Sequence, residues 1–306
     1  MVTGATGLLG ANACLDLAPE VHVVGVARRI PTGTPVEFVS ADLGNAAGRE
    51  NLVGSIRPNV VLHCAANASH ESCEEDPAAA EELNVAASRD LAEQAAAIGA
   101  KFVYISTDAV FDGERGNYRE EDPPSPTSVY GRTKLSGEAA VLEACRGALV
   151  ARVNFYGWSP SGQRSLAEYF VNRLSARELA PGFSDVRVST MYVGSLIDRI
   201  RRLVAVDAEG VYHVVNDEST TKLDFGRRIA AAMGIDADRV PPSRSSDVLS
   251  VRRGSDLSLN TEKLRARLDI ASSQEVDVAA LLQAEADGRR DALHAFRVVN
   301  PSGGEK

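Results

Sequence analysis

The sequence predicts an α/β protein with a doubly wound parallel sheet and a smaller C-terminal lobe. Apolar, strand-like runs alternate with helical patterns through the first half of the chain, as in parallel sheets whose strands are joined by helices. A glycine-rich segment follows the first run, and Ser106-Thr107-Asp108 ends the fifth. Tyr130 and Lys134 open the helix that comes next. Together these features favour a Rossmann-like fold with its functional site at the carboxyl ends of the strands.

The glycine-rich segment, Val-Thr-Gly-Ala-Thr-Gly-Leu-Leu-Gly, indicates a dinucleotide site. Gly4, Gly7 and Gly10 have the spacing that lets backbone approach a pyrophosphate at a helix N-terminus. Only Met1 precedes Val2, so we expect the first strand to be short. The other loop positions expected at the cofactor are Thr6, Leu8 and Leu9.

The remaining elements follow from hydrophobic period and from turn residues. Strands are predicted at 1–3, 21–27, 36–40, 60–64, 102–106, 148–153 and 211–215. Helices are predicted at 11–17, 77–98, 129–143, 166–179, 193–204, 223–233 and 261–268. Gly, Pro and acidic residues make 112–127 a loop over the site.

This order of elements predicts two structural units and a tail. Residues 1–152 with 186–218 form a cofactor-binding domain, and 153–185 with 219–285 form a substrate-binding lobe. The segment 286–306 is polar, and we expect it to fray.

Two arginines indicate which dinucleotide binds. After the second strand of such folds, an acid binds the ribose hydroxyls and an arginine accommodates a 2′-phosphate. Arg28 and Arg29 occupy this position and no acid does, which favours NADP(H), with NAD(H) as the alternative. The alternative is that Arg28 and Arg29 are two solvated arginines at a strand end with no role in cofactor binding. Further positions expected at the cofactor lie at the ends of the third and fourth strands: Asp42, Leu43, Cys64, Ala65 and Ala66.

Tyr130 and Lys134 suit carbonyl reduction by hydride. Four residues apart, they share a helix face. An ammonium beside a phenol lowers the phenol pKa, which produces an acid able to protonate an alkoxide. The hydroxyl of Thr107 or Ser106 could hold the carbonyl oxygen. Taken alone, the Tyr130 and Lys134 pair could be an ordinary surface helix face, but its place after the glycine loop favours a catalytic site.

Bulk properties narrow the functional class. The chain has 306 residues, a net charge of −9 and no basic run, so nucleic acid is not expected as a partner. No apolar run approaches the roughly 20 residues of a membrane helix, and no leader segment precedes the glycine loop, so we expect a cytoplasmic protein. The four cysteines show no CxxC pairing and no two histidines have helix spacing, which predicts no metal site.

Several segments resemble the extended short-chain dehydrogenase/reductases. Within that superfamily, 106–113, 118–122 and 126–138 are similar to the dTDP-4-dehydrorhamnose reductase family. The segment 63–66, with Asn84-Val85 and Arg28-Arg29, also resembles the regulatory β subunit of methionine adenosyltransferase. The resemblance implies an NADPH-dependent reductase of a nucleotide-linked 4-keto-6-deoxy sugar, as in deoxysugar biosynthesis.

The resemblance also implies a role for each site residue. Tyr130 would be the acid, Lys134 would lower its pKa and hold the nicotinamide ribose, and Thr107 would polarise the ketone. Asn84 would support Lys134, and Arg152 would lie near the substrate. The residues implied at the sugar are Asp108, Val110, Phe111, Asn154 and Phe155.

Other functions stay open on the sequence alone. The chain could be a non-catalytic, NADP-binding regulatory subunit, because an intact catalytic set does not exclude that role. It could also be a nucleotide-sugar epimerase, which uses the same residues, or a dehydratase, which Ala109 disfavours. Family analogy suggests a homodimer.

Overall fold

A parallel sheet forms the centre of the computed structural model, which describes residues 1–251, 254–271 and 278–298. Within these ranges the strands are β1 (Val2–Thr3), β2 (Val24–Ala27), β3 (Glu37–Ser40), β4 (Val60–His63), β5 (Lys101–Thr107), β6 (Leu149–Val153), β7 (Phe155–Tyr156), β8 (Gly182–Phe183), β9 (Arg187–Val188), β10 (Met191–Tyr192), β11 (Gly210–His213), β12 (Thr220–Thr221) and β13 (Pro242–Ser243). The seven-stranded sheet has the order β11-β6-β5-β4-β1-β2-β3, and its neighbouring strands are all parallel. The predicted fold class is confirmed.

The central strand is as short as expected. β1 spans two residues between β2 and β4, and Val2 lies opposite Gly25 on one side and Leu62 on the other. The amino group of Met1 donates to the carbonyl oxygen of Val60 at 2.9 Å, which continues the pairing with β4.

Helices cover both faces of the sheet. They are α1 (Leu8–Leu17), α2 (Ala46–Arg49), α3 (Leu52–Ile56), α4 (His70–Glu75), α5 (Pro77–Glu81), α6 (Ala87–Ala97), α7 (Val129–Ala144), α8 (Leu166–Ser175), α9 (Val193–Ala205), α10 (Lys222–Ala232), α11 (Glu262–Leu268), α12 (Val278–Ala286) and α13 (Arg289–His294). One apolar core contains Leu9 of α1 and Leu196 of α9, and a second contains Leu91 of α6 and Val141 of α7. Each core packs against one face, which completes the doubly wound architecture.

The predicted helix at 77–98 contains a turn that its sequence did not indicate. α5 continues through a single π-helical turn, Glu82–Ala86, into α6. The predicted helix at 166–179 ends early, at Ser175, and Arg177 then takes a left-handed φ of 59°. The other predicted helices and strands are present and differ only at their ends.

Short strand pairs build the C-terminal lobe. β9 pairs antiparallel with β12, and β13 pairs parallel with β8. Arg187–Val188 thus pairs within the lobe, although the predicted boundary at residue 186 assigned it to the sheet domain. The chain then returns through α9 to β11 at the sheet edge.

The expectation that the tail frays is wrong for the part that the structure describes. α13 lies within this segment, and Leu293 and Phe296 are fully buried. Phe296 packs edge-on against Phe38, with ring centroids 6.0 Å apart. Arg289 donates to the Asn12 side-chain oxygen at 2.8 Å. The Arg289 contact ties α13 to α1, and the Phe296 contact ties the segment to β3. Residues 299–306 lie outside the described ranges.

Among the described helices, none combines the length and apolar character that a membrane span requires.

Candidate functional site

The glycine turn between β1 and α1 has no room for side chains. Gly4 takes a positive φ of 62°, and a Cβ there would lie 2.8 Å from the Ala65 backbone nitrogen. A Cβ on Gly10 would collide with the Gly4 carbonyl group. The Gly7 amide donates to that same carbonyl oxygen at 2.8 Å, and Gly7 is the N-cap residue of α1. Because the glycines have no side chains, a ligand can approach the backbone of this turn closely.

The N-terminus of α1 is free to bind an anion. Gly7 provides no side-chain cap, and the first turn carries no acidic residue. Its amides and the positive end of the helix dipole therefore face the glycine turn. Thr6 and Leu8 are partly exposed there, whereas Leu9 packs into the core and does not reach the loop tip. This cradle fits a pyrophosphate.

The predicted ribose and adenine positions lie along the same edge. Arg28 and Arg29 are exposed just beyond β2. The Ser40 hydroxyl donates to the Arg28 carbonyl oxygen at 3.1 Å, which ties the ends of β2 and β3 together. Asp42 is exposed, and its carboxylate accepts the Gly44 amide at 3.1 Å.

Small, half-buried residues continue this edge after β4. Cys64, Ala65 and Ala66 are all partly exposed, and the Ala65 amide donates to the Thr3 hydroxyl at 3.2 Å. Leu43, after β3, is buried and belongs to the core. The carboxyl ends of the central strands thus offer a groove with little side-chain bulk.

Thr107 and Tyr130 lie where β5 and α7 meet. Thr107 ends β5, and its hydroxyl donates to Asp108 Oδ1 at 3.0 Å and accepts the Ala109 amide at 3.1 Å. Tyr130 lies in the first turn of α7, which Ser128 caps by accepting the Gly131 amide at 3.1 Å. The cap fixes where α7 begins, and therefore where Tyr130 stands.

The pKa of Tyr130 differs from the expectation. Desolvation raises it to about 12, a hydrogen bond with Thr107 opposes the rise, and Asp108 adds to it. Desolvation also lowers the pKa of Lys134 to about 7. The predicted lowering of the phenol pKa by Lys134 is therefore wrong for this structure, because burial disfavours the charged forms of both residues. The phenol of Tyr130 stays protonated at neutral pH.

Lys134 lies one turn further along α7, almost fully buried. Its Nζ lies 3.9 Å from the ring centroid of Tyr104. Among the described residues no carboxylate forms an ion pair with it, because Glu138 pairs with Arg152 at 2.8 Å. Arg152 is 3 % exposed and is not among the residues that line the cavity beside Thr107, where the resemblance implied a substrate contact.

Asn84 anchors the neighbourhood of Lys134 from the π-helical turn. Its side chain accepts the Asn67 amide at 2.8 Å and donates to the Asn67 carbonyl oxygen at 3.1 Å. It also donates to the Thr133 hydroxyl at 3.0 Å. The Tyr104 hydroxyl donates to the Asn84 carbonyl oxygen at 3.2 Å. Asn84 thus contacts Thr133 and Tyr104, which both adjoin Lys134, and π turns are frequent at functional sites.

A cavity of about 690 Å³ opens beside Thr107, between the sheet and the C-terminal lobe. Of the residues expected at the sugar, Asp108, Phe111 and Asn154 line it. Val110 does not line it and is buried in the same apolar cluster as Phe111, and neither does Phe155, which pairs with Met191 in β7 and β10. Residues that sequence reasoning missed also line it: Ser69, His70, Glu71, Thr127, Gln163, Arg164, Val186, Val188, Lys222, Gly254 and Leu257.

Asp108 is a carboxyl of the cavity wall whose pKa is shifted by its surroundings. Burial raises its pKa, although Asn154 donates to Oδ2 at 2.7 Å and Thr107 donates to Oδ1 at 3.0 Å. It therefore holds a proton more readily than an ordinary aspartate. His70 packs edge-on against Tyr130 at the same wall, with ring centroids 4.8 Å apart. Within the described ranges, no cluster of His, Cys, Asp or Glu side chains could hold a metal ion.

Comparisons with known proteins place this site in a family. The model of the RmlD substrate binding domain matches residues 1–286, and the chain belongs to that family. The predicted family is thus confirmed. The chain is 34 % identical to the methionine adenosyltransferase 2 subunit beta of Rattus norvegicus over 272 residues, which cover 86 % of this chain and 80 % of the relative.

Two reductases show the same likeness. The dTDP-4-dehydrorhamnose reductase of Streptomyces griseus is 31 % identical over 253 residues, which cover 80 % of this chain and 79 % of that protein. The crystal structure of dTDP-4-dehydrorhamnose reductase from Bacillus anthracis in complex with NADP superposes with a TM-score of 0.79 at 25 % identity. That superposition covers 94 % of this chain and 98 % of the other.

Proposed function

We propose that this chain is an NADP(H)-dependent oxidoreductase that reduces the 4-keto group of a nucleotide-linked 6-deoxy sugar. One observation carries the proposal. Thr107 lines a large cavity at the carboxyl end of the sheet, and Tyr130 and the glycine turn lie at the same end. A carbonyl group in this cavity would meet the Thr107 hydroxyl, and the protonated phenol of Tyr130 lies next to His70, which lines the same cavity.

The residues at the sheet edge fit the cofactor. The glycine turn and the α1 N-terminus would hold the pyrophosphate, and Arg28 with Arg29 would meet a 2′-phosphate. The Bacillus anthracis relative binds NADP, which supports this assignment. When bound, NADPH supplies the hydride that the carbonyl carbon receives.

The chain's own residues would supply the proton. Tyr130 keeps its proton at neutral pH and would pass it to the carbonyl oxygen as negative charge develops there. The single hydroxyl proton of Thr107 is used in a hydrogen bond to Asp108 in this structure. If Asp108 is protonated, as burial favours, it could donate to Thr107 and leave the hydroxyl of Thr107 free to donate to the substrate oxygen.

The cavity wall fits a nucleotide-linked sugar. Its volume of about 690 Å³ falls within the range typical of small-molecule sites. Arg164 and Lys222 bring positive charge to the lobe side, where a diphosphate would need it. Asn154 and Asp108 would meet sugar hydroxyls. The nucleotide-sugar reductases among the relatives support this substrate class.

Turnover with a matched pair of variants tests the proposal. NADPH consumption is measured with a dTDP-4-keto-6-deoxy sugar for the wild type, Thr107→Val and Thr127→Val. Thr127 lines the same cavity and is exposed, so its replacement changes hydroxyl content alone. We expect kcat to fall about 100-fold in Thr107→Val and to change little in Thr127→Val. Equal turnover in all three proteins would refute the assigned role.

A second function is favoured by the identity to methionine adenosyltransferase 2 subunit beta. In that case the chain would bind NADP(H) without turnover and associate with a methionine adenosyltransferase catalytic subunit. Size-exclusion chromatography with that subunit discriminates the two functions, and it also measures whether the chain alone forms the homodimer that family analogy suggests. Stable association without turnover would favour the regulatory role.

A further inference from the structure

A buried ion pair lies beneath the proposed active site and takes no part in the mechanism above. Glu138 of α7 and Arg152 of β6 are each 3 % exposed. Arg152 donates from Nε at 2.9 Å and from Nη2 at 2.8 Å. The hydroxyl of Ser106, on β5, donates to Glu138 at 2.5 Å. Three elements therefore converge on one carboxylate.

This carboxylate lies on the same helix face as Lys134. The two residues are four apart, and Lys134 is 2 % exposed. Coulombic attraction from Glu138, and after it from Cys64, raises the pKa of Lys134 against the larger effect of burial. A buried ammonium with no anion nearby would lose its proton below neutral pH.

The other groups around Lys134 cannot take this role. They are His63 and Cys64 from the end of β4, Tyr104 from β5, and Tyr130 from α7 itself. Burial lowers the pKa of His63 to about 3, and it raises the pKa of Cys64 and of Tyr104, so all three are neutral at pH 7. Tyr130 is neutral too.

We propose that Glu138 is the counter-charge that keeps Lys134 cationic, and hence a positioning residue for the reaction proposed above. Arg152 and Ser106 occupy its oxygens, so Glu138 acts on Lys134 through its field and leaves the ammonium free to meet a ligand. Arg152 also stacks against Phe111 of the cavity wall, with its guanidinium carbon 5.1 Å from the ring centroid. The pair thus connects Lys134 to the substrate cavity.

The scarcity of lysine makes a direct test practical. The chain has five lysines, so labelling lysine with ¹³C at Cε gives few NMR signals, and Lys134→Arg identifies the one that matters. The signal is titrated in the wild type, in Glu138→Gln and in Glu143→Gln. Glu143 lies on the same helix but is exposed, which makes it the matched control.

We expect Glu138→Gln to lower the pKa of Lys134 by about one unit or more from its value of about 7. Glu143→Gln should leave it unchanged. Because Glu138→Gln strands the buried Arg152 charge and could unfold the protein, a double variant with Arg152→Met is titrated as well. The double variant should show the same fall, since Arg152 is not among the charges that shift Lys134. An unchanged Lys134 titration in a folded Glu138 variant would overturn the proposal.

The catalytic consequence rests on the proposed function and is measured separately. If cationic Lys134 is required, kcat falls as pH rises through its pKa, and Glu138→Gln moves that decline to lower pH by the same amount. Absence of turnover in the wild type would defeat the proposed function while the titration still decided the role of Glu138. Normal turnover with an unmoved pH profile would count against the positioning role.

Discussion

Replacing Gly10 with alanine would push a methyl group into the backbone of the cofactor turn. The new Cβ would lie 2.8 Å from the Gly4 carbonyl carbon and 2.9 Å from the Ala5 Cα. Ordinary contact needs about 3.4 Å or more, and neither neighbour is a flexible side chain. The turn itself must therefore move by more than half an ångström, because the Cβ would lie closer still to the Gly4 carbonyl oxygen. Overpacking of this kind typically costs about 1–3 kcal/mol, which corresponds to roughly 5- to 150-fold in an equilibrium constant.

The assay is NADPH binding by isothermal calorimetry, beside denaturant unfolding. Gly147→Ala is the control, because its Cβ would meet only the Glu209 carboxylate, at 3.9 Å. We expect Gly10→Ala to weaken NADPH binding about tenfold or more and to lower the free energy of unfolding, whereas Gly147→Ala changes neither. Wild-type affinity in a Gly10→Ala protein of wild-type stability would refute the assignment of this turn to the pyrophosphate.

Two further predictions concern cofactor choice and pH. Replacing Arg28 and Arg29 with alanine should weaken NADPH binding about tenfold or more and leave NADH binding unchanged; an equal loss for both cofactors would contradict the 2′-phosphate role. Burial lowers the pKa of His63 and of His213 to about 3. Both histidines are neutral in the folded protein, whereas in the unfolded chain they titrate near pH 6.5. The free energy of unfolding is therefore highest above pH 6.5 and falls as the pH drops towards 3. Each histidine contributes about 1.4 kcal/mol per pH unit to this fall. Denaturant unfolding at pH 7 and pH 5 measures this loss, and equal stability at both values would show that the histidines are not buried neutral.

The parts of the site that share one stretch of chain were predictable from the sequence. The glycine turn depends on local spacing, and so does the placement of Tyr130 and Lys134 on one helix face. The parallel sheet followed in the same way, because each strand is a separate apolar run. The lining residues His70, Arg164 and Lys222 were not predictable, since loops and the C-terminal lobe bring them together without a local motif.

Burial produced the largest departures from expectation. The pKa of Tyr130 rises because α7 packs onto β5, and spacing alone gives no measure of that desolvation. The family resemblance placed Arg152 near the substrate, yet Arg152 pairs with Glu138, which lies on another element. The tail appeared polar by composition, yet its Leu293 and Phe296 are fully buried and help to fix it to the core. In each case the deciding contact is distant in sequence.

Transfer of deuterium to the sugar tests the central claim most directly. The protein is incubated with a dTDP-4-keto-6-deoxy sugar and NADPH that carries deuterium at the transferable position, and the product is examined by mass spectrometry and NMR. If the glycine turn holds the cofactor beside the cavity that Thr107 lines, the product carries one deuterium, bound at C4 of the sugar. Tight NADPH binding with no label in the sugar would contradict the reductase and favour the regulatory subunit.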